Sequence, residues 1–206
     1  TGGVLAIAQN REWGSGEGKT TLIVPTIASG EGSAYKIFTL AAALNSGLTE
    51  NDLQFSSDCP LQPGNKYDAP KNGFKNSSSC KLQGGFLNYK EATAYSSNTW
   101  YVTLEMRIGV ETVKNFSKTV GLAAPDSMGP RSLAYTLGVV GNSQINVAAA
   151  LATFSNKGVY CPPTPLTSIT YNNGEAIPLP DSYNPANAAC KAVMSPHNAG
   201  IVLKAM

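Results

Sequence analysis

The stretch Ser33–Leu44, SAYKIFTLAAAL, carries the strongest helical signal in the sequence and constrains the fold most. It consists mostly of good helix formers, and Gly47 follows just beyond its end, where glycine commonly terminates helices. Its apolar face is formed by Ile37, Leu40, Ala41 and Leu44. Because such a face has to be buried against other elements, the sequence predicts short helices packed around one alanine-rich core.

The other predicted elements are short and include both helices and strands. An apolar run at residues 4–8 predicts a strand, and residues 10–32, rich in Gly, Ser and Thr, predict a loop. Further helices are predicted at 99–108, at 110–120, at 144–156 and from Ser195 to the end of the sequence, and a hairpin at 167–179 around Asn172-Asn173-Gly174. The outline is therefore a mixture of helix and strand.

The composition limits the classes of function that the chain could have. The 206 residues are 42% hydrophobic, which suits one large domain or two small ones with a real core. The net charge of +2 and the lack of a basic run predict no nucleic-acid partner. The sequence contains no run of 18 apolar residues, so no membrane span is predicted within it. The single histidine, His197, is expected to be a solvated residue in the first turn of the last helix, and no cofactor is expected.

Four cysteines indicate the compartment in which the protein works. None lies in a C-x-x-C pair, so zinc binding and thioredoxin-like chemistry are disfavoured. The spacing favours two local bridges, Cys59–Cys80 and Cys161–Cys190, although the sequence alone allows three connectivities. Disulfides imply an extracytoplasmic location; the alternative is four buried free thiols in a cytosolic protein. Residues 51–92, rich in Pro, Gly, Asn and Ser, are expected to form an irregular excursion held by the first bridge.

Ser33 and Lys36 form an S-x-x-K box at the start of the strongest predicted helix. The i, i+3 spacing places the hydroxyl and the amine on one face of the helix. Serine is a weak nucleophile until a base takes its proton, and lysine acts as that base only when it is neutral, a form that burial favours. On its own the box is also what a serine N-cap followed by a first-turn lysine would give.

A second candidate element, Ser96-Ser97-Asn98, follows 63 residues after Ser33. The alternate positions of an S-x-N segment place a hydroxyl and an amide on the same side of a short loop. Such a hydroxyl can relay a proton, and the amide can bind a substrate carbonyl group. The alternative interpretation is that the segment only caps the helix that begins at Thr99.

Taken in order, these segments resemble the transpeptidase domain of bacterial penicillin-binding proteins. Residues 30–44 are similar to the family's G-S-T-F-K-x-F-T-L-A-A-A-L, and residues 96–102 are similar to its S-x-N-T-x-F-V. Residues 1–8 are similar to the family's opening strand, and residues 147–160 to the helix and strand that follow the site. The resemblance covers nearly all of the chain. It is closest to the bifunctional class A members, with class B left open.

The resemblance implies an α+β fold in which an antiparallel sheet is flanked by helices and the site lies beside an all-helical part. It implies that Ser33 is the acylated nucleophile, that Lys36 is its general base, that Ser96 passes the proton to the leaving amine, and that Asn98 binds the substrate's amide carbonyl. The implied activity is D-alanyl-D-alanine transpeptidation of peptidoglycan stem peptides. The implied inhibitors are β-lactam antibiotics, and the implied setting is the outer side of a cell membrane to which the full-length protein is anchored.

The family's third motif, K-[ST]-G, does not occur in these 206 residues. The sequence also begins with Thr1 rather than Met and ends within the last predicted helix. We therefore interpret residues 1–206 as a partial transpeptidase domain with a disulfide-held insertion at 51–92. The part that carries K-[ST]-G is an expected partner, and the chain alone is expected to be inactive. Two other functions stay open, namely a serine β-lactamase or β-lactam sensor and a non-catalytic extracellular binding module.

Overall fold

A computed structural model describes residues 2–77, 80–166, 168–178 and 190–206. The helices are α1 (Lys36–Asn45), α2 (Cys80–Gln83), α3 (Tyr89–Ala94), α4 (Asn98–Ile108), α5 (Val110–Thr119), α6 (Gln144–Ser155) and α7 (Pro196–Leu203). Short 3-10 turns are formed by Val24–Thr26, Gly32–Tyr35 and Tyr135–Leu137. Within the described ranges, none of the helices has the length and apolar character needed to traverse a bilayer.

The strands of the described residues pair two by two and antiparallel. They are β1 (Ser29–Gly30), β2 (Gln54–Ser57), β3 (Gly85–Asn88), β4 (Gly141–Asn142), β5 (Val159–Tyr160), β6 (Ile169–Thr170), β7 (Ala176–Ile177) and β8 (Lys191–Ala192). The pairs are β1 with β4, β2 with β3, β5 with β8 and β6 with β7. The last pair confirms the predicted hairpin, whose outermost positions, Thr167 and Leu179, lie outside the described residues. The fold is α+β, as the resemblance implies.

Helix α1 is the centre of the core. Every residue from Lys36 to Leu44 is buried, and α3, α4, α5 and α7 pack against the helix. Helix α6 adds Phe154, whose ring centroid lies 6.0 Å from that of Phe38. The helix predicted to begin at Ser33 starts with the 3-10 turn Gly32–Tyr35 and becomes α-helical at Lys36. Since every face is covered, α1 is buried more deeply than its one predicted apolar face required.

The later helices agree with the sequence prediction, and their caps explain where they begin. Ser143 Oγ accepts the N–H of Asn146 at 3.3 Å, and Ser195 Oγ accepts the N–H of Asn198 at 3.1 Å. Helix α7 differs at its end, because it stops at Leu203 and does not continue to the last residue. The N–H of Ala205 bonds to the carbonyl oxygen of Val202, and this i to i−3 bond tightens and ends the final turn.

The strand predicted at residues 4–8 is wrong for the described structure. Gly3 forms a single bridge with Thr164, and the N–H of Val4 donates to the carbonyl oxygen of Thr164 at 2.9 Å. Beyond this point residues 5–8 form no helix or strand, and Leu5 is 99% exposed. An apolar run becomes a strand only when a neighbour takes up its backbone hydrogen bonds, and no described segment does so here.

Both disulfides favoured by the cysteine spacing are formed. The Cα atoms of Cys59 and Cys80 are 5.4 Å apart, and those of Cys161 and Cys190 are 4.2 Å apart. Residues 51–92 are more regular than their composition predicts, because they contain the paired strands β2 and β3 and the short helix α2. The interpretation of 51–92 as an insertion within a partial domain stays a prediction.

Glu105 in α4 is a fully buried carboxyl group. Its Oε2 atom accepts the N–H of Thr136 at 3.3 Å, while Oε1 has no hydrogen-bond partner among the described residues. Burial raises the pKa of Glu105 well above its ordinary value of 4.5. The folded protein therefore keeps a proton on Glu105 at pH values where an exposed glutamate would have lost it.

We predict that Glu105→Gln flattens the pH dependence of stability. The unfolded chain loses the Glu105 proton near pH 4.5 while the folded state retains it, so the wild-type free energy of unfolding falls as the pH rises towards the raised pKa. Glutamine has no proton to lose. The stability of the variant relative to wild type should therefore grow by up to about 1.4 kcal/mol per pH unit.

Urea unfolding at a series of pH values measures this difference. Glu17→Gln, the same change on an exposed loop residue, is the matched control, because Glu17 lacks the burial on which the predicted effect depends. A Glu105→Gln curve that runs parallel to the wild-type curve would contradict the prediction.

Candidate active site

Ser33 and Lys36 meet at the start of α1. Ser33 is an exposed residue in the 3-10 turn Gly32–Tyr35, whereas Lys36, the first residue of α1, is 2% exposed. In a 3-10 turn the side chains at i and i+3 lie one above the other. Lys36 Nζ accordingly lies 3.0 Å from Ser33 Oγ, so the box forms a hydroxyl and amine pair in hydrogen-bond contact.

The S-x-N segment reaches the same amine from the turn between α3 and α4. The hydroxyl and carbonyl oxygens of Ser96 lie 2.9 Å and 2.7 Å from Lys36 Nζ, and Asn98 Oδ1 lies 2.7 Å from it. Ser96 has a φ of 52°, in the left-handed region that costs a non-glycine residue about 1 kcal/mol or more. This turn lets both oxygens of one residue face Lys36, and it brings all four candidate residues together.

Ser97, the middle residue of the segment, has a different role. Its Oγ atom accepts the N–H of Trp100 at 3.3 Å as the N-cap of α4, and it also donates to the carbonyl oxygen of Gln83. Helix capping was the alternative interpretation of the whole S-x-N segment. The structure places that function on Ser97, while Ser96 and Asn98 on either side contact Lys36.

The four oxygen atoms around Lys36 Nζ are of two kinds. The Ser96 carbonyl and Asn98 Oδ1 can only accept hydrogen bonds, whereas the hydroxyls of Ser33 and Ser96 can accept or donate. A neutral amine has two N–H groups and one lone pair. If its N–H groups go to the two obligate acceptors, which are also the closest atoms, the lone pair is left for a hydroxyl proton. The geometry therefore fits a neutral lysine that can act as a base towards Ser33.

Burial of Lys36 also favours the neutral form of its amine. Desolvation lowers the pKa of Lys36 from 10.5 to about 8. At pH 7 about one molecule in ten then holds the neutral amine, against about one in three thousand for an ordinary lysine. The ring of Tyr101, whose centroid lies 6.0 Å from Nζ, forms part of the enclosure.

Contacts between Gly32 and Gly138 fix the position of the backbone next to Ser33. The N–H of Gly32 donates to the carbonyl oxygen of Gly138 at 3.4 Å, and a Cβ atom on Gly138 would lie 2.2 Å from the carbonyl oxygen of Gly32. Gly138 also has a φ of 72°, so both space and conformation require glycine there. Next to Gly32, the Glu31 carboxylate accepts hydrogen bonds from the backbone and side-chain nitrogens of Asn142 at 2.8 Å and 3.3 Å. None of these contacts was predicted from the sequence.

Two residues of the loop between Cys59 and Cys80 also contact the site and were missed. The carbonyl oxygen of Lys75 accepts a hydrogen bond from Asn98 Nδ2 at 2.9 Å, and Asn76 Oδ1 accepts the N–H of Thr99 at 3.1 Å. No motif links these positions to the S-x-N segment. The only signal in the sequence was the spacing of Cys59 and Cys80, which favours a closed loop but does not specify which residues the loop contacts.

An open groove of about 550 Å³ lies elsewhere, between residues 2–8 and α6. None of Ser33, Lys36, Ser96 or Asn98 lines it. The candidate site is therefore defined by the convergence of polar groups on one amine and not by this cavity.

The chain belongs to the transpeptidase domain family of penicillin-binding proteins, since the sequence model described as "Penicillin binding protein transpeptidase domain" matches residues 1–206. Penicillin-binding protein 1A of Clostridium tetani (strain Massachusetts / E88) is 28% identical over 181 residues, which cover 83% of this chain and 22% of that protein. The chain thus spans less than a quarter of this relative. The family that the sequence resemblance indicated is confirmed.

Solved structures of the same kind share the fold. The PonA1 protein from Mycobacterium tuberculosis in complex with penicillin V superposes with a TM-score of 0.69 at 24% identity, covering 90% of this chain and 48% of that one. A peptidoglycan synthetase from Bifidobacterium adolescentis ATCC 15703 superposes with a TM-score of 0.73 at 19% identity, covering 100% of this chain and 39% of that one. These likenesses support the α+β assignment.

We predict that Asn98→Asp raises the pKa of Lys36 above about 8. A carboxylate in place of the neutral amide oxygen, 2.7 Å from Nζ, would favour the ammonium form. An NMR titration of ¹³C-labelled lysine measures the change. Asn72→Asp, which adds the same charge at an exposed position of the 59–80 loop, should leave the pKa of Lys36 unchanged. An equal pKa in Asn98→Asp and wild type would refute the contact.

Proposed function

We propose that this chain carries the acyl-transfer site of a D-alanyl-D-alanine transpeptidase that cross-links peptidoglycan stem peptides. One observation carries the proposal: Lys36 Nζ lies 3.0 Å from Ser33 Oγ and 2.7 Å from two obligate acceptors, the Ser96 carbonyl oxygen and Asn98 Oδ1. A buried neutral amine that donates its N–H groups to those acceptors can remove the serine proton. Membership of the penicillin-binding-protein transpeptidase family supports the choice of substrate.

In the first half of the reaction, neutral Lys36 takes the proton of the Ser33 hydroxyl. Ser33 Oγ bonds to the carbonyl carbon of the penultimate D-alanine, and the resulting tetrahedral intermediate collapses by breaking the C–N bond to the terminal D-alanine. Ser96 lies 2.9 Å from Lys36 Nζ and hands a proton to the leaving amine, and the lysine proton replaces it. Asn98 holds the amide carbonyl of the substrate through Nδ2.

In the second half, the amine of another stem peptide attacks the ester on Ser33. A proton leaves this amine through Ser96 and Lys36, the reverse of the earlier path, and Ser33 Oγ regains a proton as the ester breaks. The product is an amide that joins two stem peptides. Water in place of the amine would give carboxypeptidase activity at the same site.

The oxyanion of each intermediate needs two hydrogen-bond donors. The backbone N–H of Ser33, in the turn that opens α1, is the donor that this chain supplies. The family's second donor belongs to K-[ST]-G, which these 206 residues lack. Since the loss of one such donor costs about 10²–10³ in rate, we expect the 206-residue chain by itself to be inactive. The segment carrying K-[ST]-G is then its required partner.

We further propose that the site accepts β-lactams and works outside the cytoplasm. The related PonA1 structure holds penicillin V, and a strained lactam carbonyl would acylate Ser33 as the D-alanine carbonyl does. The two disulfides of this chain fit an oxidising compartment. A membrane anchor on the full-length protein would keep the site next to its cell-wall substrate.

The assignment of the nucleophile predicts that Ser33→Ala abolishes covalent labelling by a fluorescent penicillin, because the ester forms on Ser33 Oγ. Gel fluorescence and intact-mass spectrometry measure the labelling. The sample is the full-length protein as produced by its own cell. Ser15→Ala, the same change on an exposed loop residue, should be labelled at the wild-type rate. Labelling of Ser33→Ala would overturn the assignment, and a wild-type adduct released within seconds would indicate a β-lactamase.

The assignment of the base predicts a pH profile. The labelling rate should rise with pH and level off above about 8, because the fraction of neutral Lys36 increases up to its pKa. Lys36→Arg, which stays protonated, should lose the rise and reduce the rate by about 10²–10⁴. A flat wild-type profile across neutral pH would contradict a lysine base.

A further inference from the structure

The loop closed by Cys59–Cys80 forms hydrogen bonds with the first turn of α4. Asn98 Nδ2 donates to the carbonyl oxygen of Lys75 at 2.9 Å. The side chain of Asn76 accepts the N–H of Thr99 at 3.1 Å and donates to Thr99 Oγ1 at 3.2 Å. Two consecutive loop residues therefore bind two consecutive helix residues, one of which contacts Lys36.

These contacts determine which end of the Asn98 amide faces Lys36. In the observed orientation Oδ1 faces the Lys36 amine and Nδ2 faces the Lys75 carbonyl. In the reversed orientation Oδ1 would face the Lys75 carbonyl, which places two acceptors against each other. Nδ2 would face Lys36, where it would repel an ammonium or occupy the lone pair of a neutral amine. The Lys75 carbonyl thus disfavours the orientation that would block the base.

Described contacts on both sides of Lys75 fix the position of its carbonyl group. Leu61 and Phe74 exchange two backbone hydrogen bonds, each 2.9 Å long, and the side chain of Phe74 is 5% exposed. Asn76 Nδ2 lies 3.5 Å from Cys59 Sγ, so the disulfide borders the same contact. Lys75 therefore lies between the buried side chain of Phe74 and the hydrogen bonds that Asn76 forms with Thr99.

We propose that Lys75, through its backbone carbonyl, and Asn76, through its side chain, position the S-x-N segment for acyl transfer. They fix the Asn98 amide so that the lone pair of Lys36 stays available to Ser33 and one N–H of Asn98 stays available to the substrate. This inference rests on the proposed function for its effect on rate, but the orientation of Asn98 can be measured without any activity. Both are positioning residues, since neither contacts the reacting atoms.

The first test needs no variant and no substrate. One side-chain amide proton of Asn98 should exchange with water more slowly than either amide proton of Asn72, which is exposed on the same loop, because Lys75 accepts a hydrogen bond from Asn98. ¹⁵N NMR of the full protein measures both. Equal, fast exchange of the two Asn98 protons would overturn the proposal. A negative result in penicillin labelling would count against the proposed function alone.

The second test replaces Asn76. Asn76→Ala should lower the rate constant of acylation by penicillin about tenfold, and it should lower the pKa of Lys36 because an acceptor that favours the ammonium is no longer fixed beside it. Asn76→Asp keeps an acceptor for the N–H of Thr99 and should restore most of the rate. Asn72→Ala, on the same loop, should match wild type in rate and pKa.

Combination with Asn98→Ala separates positioning from general stability. If Asn76 acts through Asn98, then Asn76→Ala should have little further effect on the rate in the Asn98→Ala background. Independent, multiplicative losses in the double variant would overturn the proposal. So would an Asn76→Ala protein with the wild-type rate and the wild-type pKa of Lys36.

Discussion

The burial of the Lys36 amine is the constraint on which the rest of the structure depends. Each described polar atom within 3.0 Å of Nζ belongs to a neutral group, so the amine is satisfied without a negative charge that would hold its proton. The lysine is also 2% exposed, as the first residue of a helix that is buried from Lys36 to Leu44. The lysine base that we propose requires both features, since burial alone would leave N–H groups unpaired and a carboxylate partner would keep the amine charged.

The site is formed by two short segments, one that contains Ser33 and one that contains Ser96 and Asn98. Contacts with other parts of the chain fix the position of each segment. Gly138 and Asn142 hold the backbone before Ser33, and the disulfide-closed loop holds the start of α4. The left-handed backbone of Ser96 has a conformational cost, which is tolerated because Ser97 caps α4 and ties the turn to Gln83. The geometry around Lys36 therefore depends on supports that are distant in sequence and that do not themselves react.

The sequence predicted those parts of the site and fold that depend on local spacing. Ser33 and Lys36 lie three residues apart on a helical turn, so their contact follows from helix geometry, and the capping serines Ser143 and Ser195 were also recognisable. The approach of Ser96 and Asn98 followed only from the family resemblance, because no spacing rule joins positions 60 residues apart. The Lys75 contact was not predictable, since it uses a backbone carbonyl that any residue would provide. The strand expected at 4–8 failed because pairing, not apolar character, makes a strand.

The central claim is that a neutral Lys36 activates Ser33 for acylation. Peptide mapping of the full-length protein after penicillin treatment tests this claim. Trypsin should release the segment 20–36, which contains both Ser29 and Ser33. We expect fragmentation to place the penicilloyl group on Ser33, with an occupancy after a short pulse that increases with pH up to about 8. An adduct on Ser29 or Ser96, or an adduct on Ser33 whose occupancy does not change with pH, would contradict it.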